Sequence, residues 1–340
     1  MPNSPIDSVH PKADAPTLLP GGPHSPSILV VGMGAVGGYY GARLAQAGAK
    51  VSGVCRSDFD TIATYGIYIK SIAGDRHFRP EQLYRTPAQC PTPPDIVMVT
   101  LKSLPEIDLP AMIKPVVGPN TSIMLLQNGV EIEAPIAAAF PDNEIISALA
   151  FICVSREKPG HVHHEDYGRV AIGSFPSGHS QRVDELADLL NQAHVPCSVT
   201  DNIITARWKK LVWNAPFNPI SVLAGGLNTQ EILGEPELVQ LAEKVMQEVC
   251  SIAAATGHPL EEDIVRRNLT DTKKMRAYRT SMLLDFEAGR KMEVEAILGN
   301  ATRAAERLKV ETPHMQTLYA LLKGIVKPPR SATHPKADTP

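Results

Sequence analysis

The chain has 340 residues, 43% of them hydrophobic and few of them aromatic, with 33 Lys and Arg against 36 Asp and Glu. That is enough chain for two ordinary domains, each with its own core, and a formal charge of −3 gives no electrostatic ground for a nucleic-acid or membrane-surface partner. Five widely spaced cysteines (Cys55, Cys90, Cys153, Cys197, Cys250) make no CxxC pair and no zinc-like spacing; they fit a reduced cytoplasmic protein better than a disulfide framework.

Residues 1–26 and 328–340 hold eleven of the 30 prolines and too little apolar surface to repay ordering, so both are expected to be disordered tails. They share an echo, His10-Pro-Lys-Ala-Asp-Ala-Pro16 and His334-Pro-Lys-Ala-Asp-Thr-Pro340, which biased composition explains. No basic segment precedes an apolar run, so no signal peptide is expected. The longest apolar stretch, Ile28–Ala42, is short and interrupted by glycines, unlike a membrane span.

From Ile28 onward, strand and helix signals alternate. Ile28–Val31 is a buried apolar run, followed by a Gly-rich turn and a helix through about Gln46. Lys50–Cys55, Asp95–Thr100, Ser122–Leu126 and Ile145–Ile152 read as further strands. Strands separated by helices imply βαβ units and a mostly parallel sheet. Val154–Glu157 and Arg169–Gly173 flank the turn Lys158-Pro159-Gly160 and read as a strand pair. After about Asp201 a 3.6-residue spacing takes over, at Ile203–Trp213, Glu237–Thr256, Ala277–Glu287, Val294–Leu308 and Thr317–Ile325. The expected fold is an α/β Rossmann-type dinucleotide-binding domain, residues 27–200, followed by an all-α domain, residues 201–327.

Gly32-Met33-Gly34-Ala35-Val36-Gly37 follows a strand and opens a helix. That is the context in which GxGxxG marks a dinucleotide site: Gly32 for the tight turn, Gly34 for close approach of a pyrophosphate, Gly37 for helix–strand packing, and the helix N-terminus for the phosphate charge. The second strand ends Val54-Cys55-Arg56-Ser57, with no carboxylate before Asp58. A guanidinium there would pair with a 2′-phosphate, which favours NADP over NAD.

In the helical half, Lys210, Asn214 and Asn218 stand at i, i+4 and i+8 and share one helix face. Such a stripe is polar enough to hold a hydroxyl or carbonyl group, although solvated faces look the same. Pro216 lies between the two asparagines, where it should kink or end the helix unless it lies in the first turn of a new one. Downstream come Ser281, Asp285, Arg290, Glu293 and Glu295; Glu293 and Glu295, two apart, need not both face a cleft. His161, His163 and His164 read as a strand surface with no further metal ligand beside them, so no metal is expected. Trp208 and Trp213 read as packing residues, and Cys153 as an inert core thiol.

At this point the ordered set Gly32-x-Gly34-x-x-Gly37, Leu101-Lys102, Gln127-Asn128-Gly129, Lys210-x-x-x-Asn214-x-x-x-Asn218-Pro219, Ser281-Met282 and Glu293 resembles the ketopantoate reductase (2-dehydropantoate 2-reductase) family over nearly all of residues 27–326. The resemblance implies NADPH-dependent reduction of a small 2-oxo acid, 2-dehydropantoate to (R)-pantoate in the biosynthesis of pantothenate. It implies that Lys210 is the general acid, that Glu293 hydrogen-bonds substrate and works with that lysine, and that Asn128 lies near nicotinamide and reacting carbon. It also implies cofactor contacts from Gly32, Gly34, Ala35, Val36, Gly37, Arg56 and Lys102, and substrate contacts from Lys102, Asn214, Asn218 and Ser281. Departures fall on the substrate side: the family's Thr-Glu-Ile-Asp run reads Met292-Glu293-Val294-Glu295, and Tyr278 stands three before Ser281, where Asn is often found. A paralogue acting on another 2-oxo acid or an imine is therefore an alternative, as is a non-catalytic NADP-binding sensor. A homodimer through the helical domain is compatible with the pattern.

Overall fold

The computed structural model describes residues 25–326. Apart from residues 25 and 26, the expected disordered tails and the sequence echo they share lie outside the described residues.

The first half runs β1 (Ser27–Val31), α1 (Ala35–Gln46), β2 (Lys50–Val54), α2 (Phe59–Tyr65), β3 (Ile67–Ser71), β4 (Arg76–Phe78), β5 (Leu83–Tyr84) and β6 (Ile96–Val99). It continues with α3 (Leu109–Ile113), β7 (Ser122–Leu125), α4 (Ala134–Ala139), β8 (Ile145–Lys158), β9 (His161–Ser174), α5 (Gln181–Gln192) and β10 (Cys197–Val199). All the strands join one sheet in the order β4-β3-β9-β8-β7-β6-β1-β2-β5, with β10 beside β9. From β5 to β8 every pairing is parallel.

Residues alternate across β1: Ile28 and Val30 enter the core under α1 and α5, whereas Leu29 and Val31 enter the core under α3 and α4. Burial on both faces is why these strands read as unbroken apolar runs. The chain leaves β1 toward β2 on one side and β6 on the other, so a crevice opens at the carboxyl ends of β1 and β6.

Two strand expectations change. The strands read as Ile145–Ile152 and Val154–Glu157 are one, β8, and it forms a long antiparallel hairpin with β9. Register shifts at Phe151/Ile152 and Cys153/Val154 absorb the irregular sequence as bulges do. Three strands, β4, β5 and β10, carry too few residues to show a period, and β3, which alternates buried and exposed residues over 67–70, also escapes the sequence reading.

The second half is helical: α6 (Ile203–Leu223), α7 (Thr229–Gly234), α8 (Pro236–Ala255), α9 (Ile264–Lys274), α10 (Ser281–Glu287), a π-turn (Glu295–Gly299), α11 (Asn300–Leu308) and α12 (Pro313–Val326). Pro216 does not end the first helix: α6 continues through both Pro216 and Pro219. Proline's fixed φ suits a helix; its cost is a missing N–H and a steric conflict. Here Ala215, Phe217, Ile220 and Val222 are buried around it against α8, α10 and α12, and that packing outweighs the local penalty. α10 starts later than Ala277 because Thr280 caps it, its side chain accepting from Leu283 N. The helix expected from Val294 instead opens with the π-turn, whose Ala296 carbonyl accepts from Val130 N at 3.3 Å. α7 and α9 were not anticipated; α9 buries little beyond Ile264 and Thr272, so its apolar face is too narrow to read.

Candidate active site

A cavity of about 1500 Å³ runs from the glycine loop after β1, past the ends of β6 and β7, to the face of α6. Gly32 has φ +112°, a conformation that favours glycine, and a Cβ at Gly37 would overlap the Gly32 carbonyl oxygen. The loop is therefore closed tightly, with Gly37 packed behind it. A Cβ at Gly34, by contrast, meets no atom within 4 Å, so the backbone there faces open space. α1 begins in that space with no side-chain cap and no acidic residue in its first turn. Gly32, Gly34, Ala35 and Val36 line this end of the cavity. Uncapped N–H groups over an open cradle are what a pyrophosphate requires, so these residues fit a dinucleotide.

Arg56 is exposed beyond β2 and lines the same end. Asp58, the nearest carboxylate in sequence, is buried and committed to Arg156 at 2.6 Å, with the Ser57 hydroxyl donating to it at 2.7 Å. The rim of the cradle thus presents a guanidinium rather than a free carboxylate.

Midway along the cavity, three predicted residues from three separate segments meet. Lys210 Nζ donates to Asn128 Oδ1 at 2.9 Å and to the Ala150 carbonyl at 2.7 Å. Asn128 Nδ2 in turn donates to Glu293 Oε2 at 3.2 Å, and the other carboxylate oxygen accepts Ser103 N at 2.9 Å. One amide therefore joins the ammonium to the carboxylate. Burial pushes the Lys210 ammonium down to about 7, helped by Arg207 and Arg169 and opposed by Glu293. Burial raises Glu293, against the pull of the Ser103 and Asn128 hydrogen bonds and Lys102. Each group is thus shifted toward its neutral form.

Lys102 follows β6 and reaches across to the helical half. Its Nζ contacts Asp285 at 2.7 Å and donates to the Lys291 carbonyl at 2.9 Å, while Arg290 holds the same Asp285 oxygen at 3.0 Å. Lys291 pairs with Glu106 nearby. Ser281 begins α10, and it and Asn214 line the cavity. Asn218 is buried behind that wall, donating to the Asn214 carbonyl at 3.1 Å and accepting from Met282 N at 3.4 Å. Glu295 faces away and pairs with Arg303 at 2.8 Å.

Two readings need adjustment, those of Trp213 and His164, while Cys153 keeps its own. Trp208 is buried as expected, but Trp213 lines the cavity, stacked on Phe217 with ring centroids 5.0 Å apart and 6.2 Å from Tyr278. Being i+3 to Lys210, it shares the lysine's helix face, a signal available in the sequence. Cys153 is buried at the cavity wall, its thiol pushed up to about 12 by burial. His164 is buried beside Ser71 Oγ at 2.8 Å, and among the described residues no group of three His, Cys, Asp or Glu is placed to hold a metal. Sequence reasoning missed Phe151, whose ring centroid lies 5.5 Å from Lys210 Nζ, and Ser103, Ala150 and Arg207, which act through backbone or from behind the site.

Residues 28–177 match the family model described as ketopantoate reductase PanE/ApbA, and residues 202–326 match that of its C-terminal part. A 2-dehydropantoate 2-reductase of Nostoc sp. is 34% identical over 299 residues, 86% of this chain and 93% of its own length. The crystal structure of 2-dehydropantoate 2-reductase from Methylococcus capsulatus is 49% identical with a TM-score of 0.82, covering 88% of this chain and 96% of that one. The corresponding structure from Geobacter metallireducens is 36% identical with a TM-score of 0.83, over 88% and 99%.

Proposed function

The chain belongs to the ketopantoate reductase family, an oxidoreductase family acting on a 2-oxo acid, and from that premise we propose that it reduces 2-dehydropantoate to (R)-pantoate with NADPH, Lys210 giving the proton. The observation that carries this reading is the Lys210–Asn128–Glu293 chain of contacts in the cavity onto which the glycine loop opens. In this reading residues 27–200 carry the cofactor side and residues 201–327 the substrate side.

When bound, NADPH supplies a hydride to the keto carbon. Gly32, Gly34, Ala35 and Val36 would hold its pyrophosphate, and Arg56 the 2′-phosphate. The Lys210 ammonium faces the keto oxygen, stabilises the charge that grows there and gives up its proton. Asn128 holds Nζ in place by accepting its hydrogen bond, and its amide orientation is fixed because its NH₂ is committed to Glu293. Ser281 and Lys102 bind the acid's carboxylate, and Asn214 its polar substituent. Asn218 supports that wall from behind.

Trp213 and Tyr278 in the cavity wall favour one second reading, a 2-oxo acid with a bulkier apolar group. A panel of 2-dehydropantoate, branched aliphatic and aromatic 2-oxo acids, followed by NADPH absorbance, separates the two. Highest kcat/KM with 2-dehydropantoate is the expected result; preference for an aromatic acid would transfer the assignment, and no turnover of any acid would end it.

Arg56→Ala is expected to weaken NADPH binding about 10- to 100-fold and NADH binding less than about threefold, the loss of a charged hydrogen-bond partner for one phosphate. Fluorescence titration with both cofactors checks it; equal losses would remove the case for NADP.

A further inference from the structure

Arg207 and Glu133 do no chemistry in the mechanism above, yet they form a charge pair whose side chains are 1% and 0% exposed. Such a pair is costly to bury and weak evidence of stabilisation. Its placement suggests another use. Arg207 lies on α6 three residues before Lys210, so the two share a helix face. Its Nη1 donates to the carbonyls of Gln127 at 2.9 Å and Gly129 at 3.1 Å, the two residues flanking Asn128. Its Nη2 reaches the carbonyls of Leu125 at 3.3 Å and Ala148 at 3.4 Å, at the end of β7 and within β8. Its Nε donates to Ser147 Oγ at 2.8 Å and pairs with Glu133, to which Ser147 itself donates at 2.7 Å. All five guanidinium N–H groups are thereby used.

We propose that Arg207, neutralised by Glu133, is a positioning residue for the reduction: it ties the carbonyls of the residues before and after Asn128 to the helix that carries Lys210 and so fixes the contact between amide and ammonium. A lysine at 207 has no planar fork with which to span these acceptors. The guanidinium also places a positive charge beside the ammonium, second only to burial in lowering its affinity for a proton. The cavity that holds Lys210 is also lined by Lys209 of α6, Arg169 and Tyr167 of β9, Cys153 of β8, Arg267 and Asp271 of α9, Tyr278, Glu293, and Asp285 with Lys102 and Arg290, and at its far end by Cys55, Arg56, Asp58 and Arg156. Of these Glu293 acts on Lys210 oppositely to Arg207, and Arg169 in the same direction.

The inference rests on Lys210 being the proton donor, and its test is arranged so that the two fail separately. Two full-length variants are compared with wild type: the double substitution Arg207→Met with Glu133→Gln, which leaves no unpaired buried charge, and Arg207→Lys, which keeps the charge and loses the fork. Thermal unfolding first establishes that each is folded. With 2-dehydropantoate as substrate, the double variant is expected to lose about 30-fold or more in kcat, with KM for NADPH within about threefold, as misplacement of a catalytic group demands. The basic limb of its pH profile should move up by roughly half a unit or more, because the guanidinium that lowers Lys210 is gone, while Glu133, lost with it, is not among the charges that shift Lys210. Arg207→Lys should lose about tenfold in kcat with the limb unmoved. Titration of the ¹³Cε-lysine signal that Lys210→Arg deletes reads the same shift without substrate, whichever acid the enzyme prefers. Wild-type kcat in a folded Arg207→Lys, or an unmoved Lys210 titration in the double variant, would overturn the proposal. If the double variant does not fold, kcat of Arg207→Lys decides alone.

Discussion

Replacing Lys210 by alanine is expected to lower kcat about 1000-fold while changing NADPH affinity less than about threefold. General acid catalysis by a positioned group contributes roughly 10²–10⁴-fold, and the same ammonium stabilises the developing alkoxide. The cofactor cradle lies at the other end of the cavity and loses no contact. The sign of the pH dependence follows from the shift. A proton donor works when protonated, and Lys210 is held at about 7 by burial and Arg207. Wild-type reduction should therefore fall as pH rises through about 7, roughly tenfold per unit beyond it. Steady-state rates from pH 5.5 to 9, together with cofactor titration of Lys210→Ala, provide the check. An alanine variant within a few-fold of wild type would show that water supplies the proton and that Lys210 only shapes the cavity.

Gly129→Ala should cost about 100-fold in kcat without altering any side chain that touches substrate. Gly129 has φ +102°, and its Cβ would overlap the carbonyl oxygen of Ala296 in the π-turn. Neither side can yield easily, because the Gly129 carbonyl is held by Arg207 and the Ala296 carbonyl by Val130 N. The chain must therefore shift at Asn128, and a displacement near 1 Å in a catalytic constellation is worth about 10². The strained φ adds about 1–2 kcal/mol, which a lowered Tm would register. Unchanged kcat in a folded Gly129→Ala protein would mean that the loop has slack the hydrogen bonds do not suggest.

The sequence is most legible where one residue does one job. The glycine loop stands out by its spacing between a strand and a helix, whereas the stripe through Lys210 and Asn214 has a helical spacing that a solvated face would share. Glu293 does not: blind, it is indistinguishable from Glu295, and only the family resemblance separates them before the fold does. Proline misleads for a different reason. At Pro216 the local rule is sound, but it weighs a hydrogen bond against solvent, whereas the real alternative is losing a buried helix face. Arg207 is hardest to find, because a guanidinium that serves carbonyl groups leaves no partner in the side-chain sequence. Its four carbonyl acceptors exist only once β7, β8 and the Asn128 loop are in place.

The two rims of the cavity are fastened by different kinds of bond. On one side, peptide hydrogen bonds, the buried Arg207–Glu133 pair and the Gly129–Ala296 contact join sheet to helices away from water. On the other, Lys102–Asp285 and Lys291–Glu106 join them in reach of solvent and its ions. Salt screens the second set and hardly touches the first. The molecule is thus built as a jaw with a dry hinge beside the proton donor and an ionic clasp at the mouth. Raising the ionic strength is therefore expected to loosen the Lys102 and Lys291 side while the 2.9 Å contact between Lys210 and Asn128 stays as it was.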